Sequence, residues 1–406
     1  MGMLKKLHKR YQSVSTGLVI ILSLSLISCH KQRPEHLLTQ HSMKMSQQLT
    51  DFGEPNLALL ANKLHNSQHN QLHFIQIGDS HTAADFFTGK LRALLQQRFG
   101  DAGIGFVSPI NIPGQRSAMI GITSDKQQWE LTTSRKDNRP DFPLGGAIAE
   151  PDSETSKLVL KLFVPSYTHY QLKLLYQTPA DSQILVQSAT KQILKLPATR
   201  GQWQFSSEKT VKFPVNIMAT QDNQLKLGGW FIKRKQPGVI LSALGINGAT
   251  INMMDKWQPQ WINTLAQMHP DMIILAYGTN AAFNNSLDLS DYRQQLTTKI
   301  KQIRHQLPQA AILIIGPSDS LKNGQATSCT TQQPTMLNDV IHIQQEVAKE
   351  QHTLFWNWRE YMGGECSIKS WAQQNLARPD YVHLSAAGYE RSAKALYKQL
   401  IDVLGQ

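Results

Sequence analysis

Two periodicities alternate along the chain. "LHFIQIGDS" is an apolar run broken at Gly78, which predicts a buried strand closing in a glycine turn. From Ala83 to Phe99 the residues Phe86, Phe87, Leu91, Leu94, Leu95 and Phe99 recur at helical spacing, so a helix follows that turn directly. An amphipathic helix is also expected around Phe52 to Leu64. After about residue 120 the pattern changes: "QWELTTS", "KLVLKLFVPS", "YQLKLLYQT", "QILVQSA", "QILKLPA" and "VKFPVNI" alternate in steps of two, with turn residues between them and no helical stretch up to about Gly238. Such spacing predicts an all-β module, a sandwich or jelly roll. Helix and strand then alternate again, with strands in "GVILSALGING", "DMIILAYGTN" and "AAILIIGPS" and helices in "QWINTLAQM", "LSDYRQQLTTKIKQIRHQL" and "SAAGYERSAKALYKQLIDVL". The expectation is an α/β domain with a parallel sheet, split by an inserted β module. No internal repeat stands out.

The first 28 residues stand apart. Lys5, Lys6, Lys9 and Arg10 precede an uncharged stretch from Ser13 to Ser28 rich in Leu, Ile and Val, the pattern of a signal peptide. Its end, "LISC", resembles the lipobox of bacterial lipoproteins, which implies lipidation of Cys29; an ordinary secretory peptide followed by a chance cysteine is the plainer reading. The apolar run is short for a membrane span of roughly 20 residues. His30 follows the cysteine, and without an aspartate there the lipoprotein sorting pattern favours the outer membrane. The expected organisation is a signal peptide over 1–28, a tether and helix over 29–69, an α/β domain over 70–120 and 238–406, and the β module over 121–237.

Composition is that of a globular protein, 41% hydrophobic and 17% charged over 406 residues, with a formal net charge of +12. Removing the four leader cations leaves a basic mature chain, which fits either a plain solvated surface or attraction to an anionic polymer or membrane. No basic run interleaved with aromatics appears, so nucleic acid is not an expected partner. Beyond Cys29, Cys329 and Cys366 make an even pair, expected to form a disulfide in an oxidising compartment, with two free buried thiols as the alternative. Trp129, Trp203, Trp230 and Tyr170 could stack on sugars, although aromatics in a sandwich are more often core.

Three predicted strand ends carry polar residues on sharp turns: Ser80 after "FIQIGD", Gly248 after "VILSALGIN" and Asn280 after "MIILAYGT". In a parallel sheet these ends share one edge, where ligands bind. In "PDYVHLSAAGY", Asp380 stands three residues before His383 at the entrance to the last helix. Singly each has a bland explanation, as a helix cap, a turn glycine, an asparagine turn or a helix-start histidine. Taken in order, they resemble the four blocks of the SGNH, or GDSL-type, hydrolases. That resemblance implies a three-layer α/β fold and casts Ser80 as nucleophile, His383 as its general base, and Asp380 as the carboxylate that sets the imidazole tautomer. The backbone N–H of Ser80, the backbone N–H of Gly248 and the side-chain amide of Asn280 would form the oxyanion hole. Asp79 with His81 also matches the D-x-H opening of metallophosphoesterases, but the further motifs of that class are missing, and no metal is expected. His81 stands where the family name has leucine, lining the cleft or filling space beside the nucleophile.

Within that group the chain looks most like bacterial peptidoglycan O-acetylesterases. The resemblance rests on "IGDSHTAADFFTGKLRALLQQRFGDAGIGFV", "LGINGATI", "YGTNAAF" and "DYVHLSAAGY", and it extends to the β insertion, jelly-roll-like and carbohydrate-binding-like in those enzymes. It implies removal of O-acetyl groups from N-acetylmuramic acid without a cofactor. The leader and its lipobox-like end would hold such an enzyme in the periplasm on a lipid anchor, where a positive charge would suit stem-peptide carboxylates, and a monomer is expected. Deacetylation of another polysaccharide, acetyl transfer, and a non-catalytic glycan-binding lipoprotein are the competing readings. Arg116, in "SPINIPGQRS", is a weak candidate for glycan contact.

Overall fold

The computed structural model describes residues 48–221, 224–322 and 328–406. The signal-peptide reading and Cys29 lie outside the described residues. Ser46–Gln406 make one compact unit.

Among the described residues the strands form three sheets. The first has the order Leu49–Asp51, Leu354–Trp356, Ala311–Ile315, Met272–Ala276, Gln71–Gly78, Gly238–Gly245. Every neighbouring pair is parallel except Leu49–Asp51 with Leu354–Trp356, so the sheet is mixed rather than purely parallel. The edge strand falls within the stretch read from sequence as tether and helix; three residues of "LTD" are too few to show a period. The helix expected around Phe52 to Leu64 runs over Leu57–His65.

The central strands are predominantly apolar because both faces are covered, with His73 and Gln76 as buried polar exceptions in Gln71–Gly78. Ile75, Ile77, Ile273, Leu275, Ile312 and Ile314 pack in one core with the helices Trp261–Ala266, Leu289–Gln306 and Leu337–Glu350. Their alternates Leu72, Phe74, Met272, Ile274 and Leu313 pack in another with Leu57–His65, Phe87–Phe99 and Ala386–Val403. Helices on both faces of the sheet give the three layers of an SGNH-type fold.

The β-rich part holds two antiparallel sheets, one with five strands and one with seven. Strands Tyr170–Gln177 and Lys226–Lys233 of the larger sheet alternate between two cores. Leu172, Leu174, Trp230 and Ile232 face the smaller sheet, sharing a core with Leu158, Leu160, Ile184 and Ile217. Leu175 and Phe231 face the other way and join the core of the α/β domain. The two parts are therefore packed as one body. Gly103–Val107, assigned from sequence to the α/β domain, pairs antiparallel with Trp230–Lys233, so the change of sheet comes well before residue 121. Its glycine-interrupted pattern concealed that pairing.

Candidate active site

Register brings the site together. Gly78 pairs with Gly245 on one side and Ala276 on the other, so three parallel strands end side by side. Ser80, Gly248 and Asn280 follow within a few residues, on the shared carboxyl edge. A Cβ on Gly245 would lie 2.0 Å from the Ala83 nitrogen, so glycine is what lets the short helix Ser80–Ala83 rest against this strand end. Gly248 has φ +78°, a left-handed turn that glycine adopts at little steric cost.

Asp79, rather than Ser80, is the cap of that helix. Its Oδ1 accepts from the His81 N–H at 3.0 Å, leaving Ser80 as the first helical residue with its hydroxyl free to face the cleft. Burial pushes the Asp79 carboxyl up to about 7, against hydrogen bonds from the His81 N–H and the Thr279 side chain.

The Ser80 Oγ lies 2.9 Å from His383 Nε2, although the two residues are 303 positions apart. His383 Nδ1 in turn lies 2.9 Å from Asp380 Oδ2. Asp380 Oδ1 accepts from the backbone N–H groups of Val382 and His383, each at 2.9 Å, so one tight turn both shapes the loop and aims the carboxylate. Burial alone would raise the Asp380 pKa; the hydrogen bonds from the His383 and Val382 N–H groups and from the imidazole outweigh it and hold the group below its ordinary value. An ionised Asp380 beside Nδ1 keeps the ring proton there, and Nε2 is then the acceptor for the Ser80 hydroxyl.

Opposite this pair lie the donors. Among the described residues, neither the Ser80 N–H nor the Gly248 N–H is spent on another protein group. Asn280 Nδ2 donates to the Ala249 carbonyl at 2.9 Å, which orients the amide and leaves its second hydrogen free. Ser80, Gly248, Asn280, Asp380 and His383 line one cleft of about 830 Å³. The arrangement can activate a hydroxyl and receive a developing oxyanion, as acyl transfer requires.

Other candidates fall elsewhere. Arg116 stacks over the Phe86 ring, 4.1 Å from its centroid, and donates to the Asp85 carbonyl, so it is committed to the fold and lines a different cavity. Trp129, Trp203, Trp230 and Tyr170 are all core, 0–6% exposed, and the three indole N–H groups donate to the carbonyls of Lys157, Asp141 and Pro109. Cys329 and Cys366 are joined in a disulfide with Cα atoms 5.9 Å apart.

Sequence reasoning missed what holds His81. The ring is buried behind the cleft, its Nδ1 hydrogen-bonded to Tyr389 Oη at 2.8 Å and its centroid 5.4 Å from that of His383. His81 Nε2 has no partner among the described residues. Burial, then the nearby His383, lower its pKa to about 3, so the imidazole is neutral at physiological pH. Tyr389 stood in the quoted "SAAGY", but nothing in its spacing pointed to residue 81.

Two family models match the chain. "Peptidoglycan O-acetylesterase, N-terminal" matches residues 102–216, and "GDSL-like Lipase/Acylhydrolase family" matches residues 224–391. Gly248, Asn280, Asp380 and His383 fall within the second match, and Ser80 precedes both. A solved structure of a peptidoglycan O-acetylesterase is 36% identical, with a TM-score of 0.81 over 88% of this chain and 99% of that one. A lipase/acylhydrolase from Enterococcus faecalis (17% identical, TM-score 0.32, covering 41% of this chain and 77% of that one) and an acetyl xylan esterase (17%, 0.31, covering 39% and 79%) are much more distant. No curated protein sequence matches the chain.

Proposed function

The chain belongs to the peptidoglycan O-acetylesterase family, and from that premise we propose that Ser80, His383 and Asp380 remove O-acetyl groups from N-acetylmuramic acid in peptidoglycan. It is a serine esterase. The observation that carries the assignment of roles is the chain of two 2.9 Å contacts from Ser80 Oγ through His383 to Asp380, facing unspent N–H donors in one cleft.

In the forward step Ser80 Oγ attacks the acetyl carbonyl carbon while His383 Nε2 takes the hydroxyl proton. The carbonyl oxygen becomes an oxyanion that accepts from the N–H groups of Ser80 and Gly248 and the amide of Asn280. Collapse breaks the bond to the sugar oxygen, which receives the proton from His383, leaving Ser80 acetylated. Water, deprotonated by the same imidazole, then attacks the acetyl-serine. Acetate leaves and the proton returns to Ser80. Asp380 stays ionised throughout and stabilises the imidazolium.

The amino-terminal pattern ending at Cys29 supports export and lipid anchoring, which would keep the enzyme in the periplasm at the outer membrane, beside its polymer. We read the β-rich part as a jelly-roll-like relative of carbohydrate-binding modules that contributes wall to the cleft, since its tryptophans are buried and offer no stacking platform. Ser80, Gly248, Asn280, Asp380 and His383 complete the site within one chain, so a monomer suffices for the reaction.

The test is acetate release from O-acetylated sacculi against acetylated xylan. Release from sacculi by the wild-type protein, lost in Ser80→Ala, is expected; equal release from both polymers would move the assignment to another polysaccharide, and activity surviving in Ser80→Ala would remove the nucleophile.

A further inference from the structure

Four arginines near the catalytic loops have distinct fates. Arg92 donates to the Leu241 carbonyl at 2.7 Å and pairs with Asp85, and Arg116 is held by Phe86 and the Asp85 carbonyl. Arg135, from the β-rich part, has no side-chain hydrogen bond or ion pair among the described residues, and neither has Arg378 of the His383 loop. Both line the catalytic cleft. Among the described residues, the only carboxylate lining it is Asp380, already engaged by His383.

The backbones carrying these two arginines are fixed. Arg135 sits on a turn closed by the Lys136 and Asp137 N–H groups donating to the Thr133 carbonyl. Lys256 Nζ pins the same turn by donating to the carbonyls of Ser134 at 2.8 Å and Asp137 at 3.0 Å. A Cβ on Gly248 would lie 3.8 Å from Arg135 Nε, so the guanidinium stands beside the Gly248 turn. The Arg378 N–H donates to the His383 carbonyl at 2.8 Å, tying its position to the catalytic imidazole. Uncompensated charge on a fixed backbone, facing the reacting centre, is what recognition of an anionic group requires, and the planar guanidinium fork matches a carboxylate.

We propose that Arg135 and Arg378 read a carboxylate on the acetylated sugar, one arginine from each part of the fold, and so select acidic acetyl esters over neutral ones. This rests on the esterase reading above and names its substrate more closely: the carboxylate is that of the muramic lactyl group or of the peptide attached to it. It also explains why the β-rich part is packed onto the α/β core, since only that packing delivers Arg135 to the cleft.

The test compares kcat/KM of the purified protein on three probes: O-acetylated N-acetylmuramic acid with its free lactyl carboxylate, the same sugar capped as the lactyl methylamide, and the same sugar carrying an L-Ala-D-Glu dipeptide. At least one charged probe is expected to exceed the methylamide by about tenfold, with the margin shrinking as salt shortens the Debye length. Preference for the first probe assigns the lactyl group, and preference for the third assigns the peptide. Arg135→Gln and Arg378→Gln should each reduce the ratio of charged to neutral rates, the double variant should bring it near one, and lysine at either position should restore part of it. Hydrolysis of all three probes at one rate, or a ratio unmoved by both variants, overturns the proposal and leaves the esterase reading standing. Hydrolysis of none overturns both.

Discussion

His81→Leu puts the family's usual leucine beside the nucleophile and removes a buried histidine that cannot ionise in place. The folded protein holds this imidazole at a pKa of about 3, whereas an unperturbed imidazole titrates near 6.5. Between those two values the unfolded chain binds a proton that the folded chain refuses, so stability is lost as pH falls below 6.5. The slope is about 1.4 kcal/mol per pH unit for one proton, so acidification from pH 6.5 to 4.5 should cost the wild type roughly 2 to 3 kcal/mol through this residue. Leucine has no proton to bind in either state. At neutral pH the exchange removes an unpartnered Nε2 but costs the Tyr389 hydroxyl its 2.8 Å contact with His81; these offset, and the net change should stay within about 2 kcal/mol. Other titrating groups, including Asp79 with its opposite sign and His73, lowered to about 4, remain in both proteins and drop out of the difference. Urea unfolding of wild type and variant at neutral and mildly acidic pH measures the quantity directly. The variant should gain on the wild type by roughly 2 to 3 kcal/mol on acidification; parallel profiles would mean that His81 titrates normally in the folded state, and the account of its burial would be wrong.

Asn280→Ala should lower kcat by about 10² to 10³ with little change in melting, because it removes an oxyanion donor while costing the fold one hydrogen bond, to the Ala249 carbonyl; unchanged turnover on an acetyl ester would exclude Asn280 from the oxyanion hole. The Cys329–Cys366 disulfide closes a separation of 37 residues, so its reduction should destabilise the protein by about 4 kcal/mol in the loop-entropy account. Unfolding midpoints with and without reductant check this, and coincident curves would contradict it.

Much of the fold could be read from pattern because the strands of the α/β sheet are covered on both faces. Gln71–Gly78, Gly238–Gly245 and Met272–Ala276 each show as an apolar run ended by glycine or by small residues, and the chemistry-bearing residue stands just beyond. Elements without a period of their own were missed. Leu49–Asp51 is too short and Gly103–Val107 is interrupted by glycine; Leu337–Glu350 is a different case, since Leu337, Val340, Ile341, Gln344, Val347 and Ala348 do recur at helical spacing and that period is legible in the sequence. The aromatic residues of the β-rich part show the same limit: a tryptophan on an alternating strand looks alike whether it faces sugar or core, and packing put Trp129, Trp203 and Trp230 in the core.

Local order along the chain determined the strand, turn and helix units, the identity of the polar residues at each turn, and the short Asp380–His383 spacing that one loop can satisfy. What only the tertiary structure decided was proximity: that three strands end in register, that Ser80 meets His383 across 303 positions, and that Tyr389 holds His81 while Arg116 stacks on Phe86. The reason is physical. Period and turn chemistry are short-range properties carried by neighbouring residues, whereas strand order and the choice of a side chain's partner are set by how the buried faces of distant segments close over shared cores, and that arrangement brought Arg135 from the β-rich part to the edge of an α/β sheet.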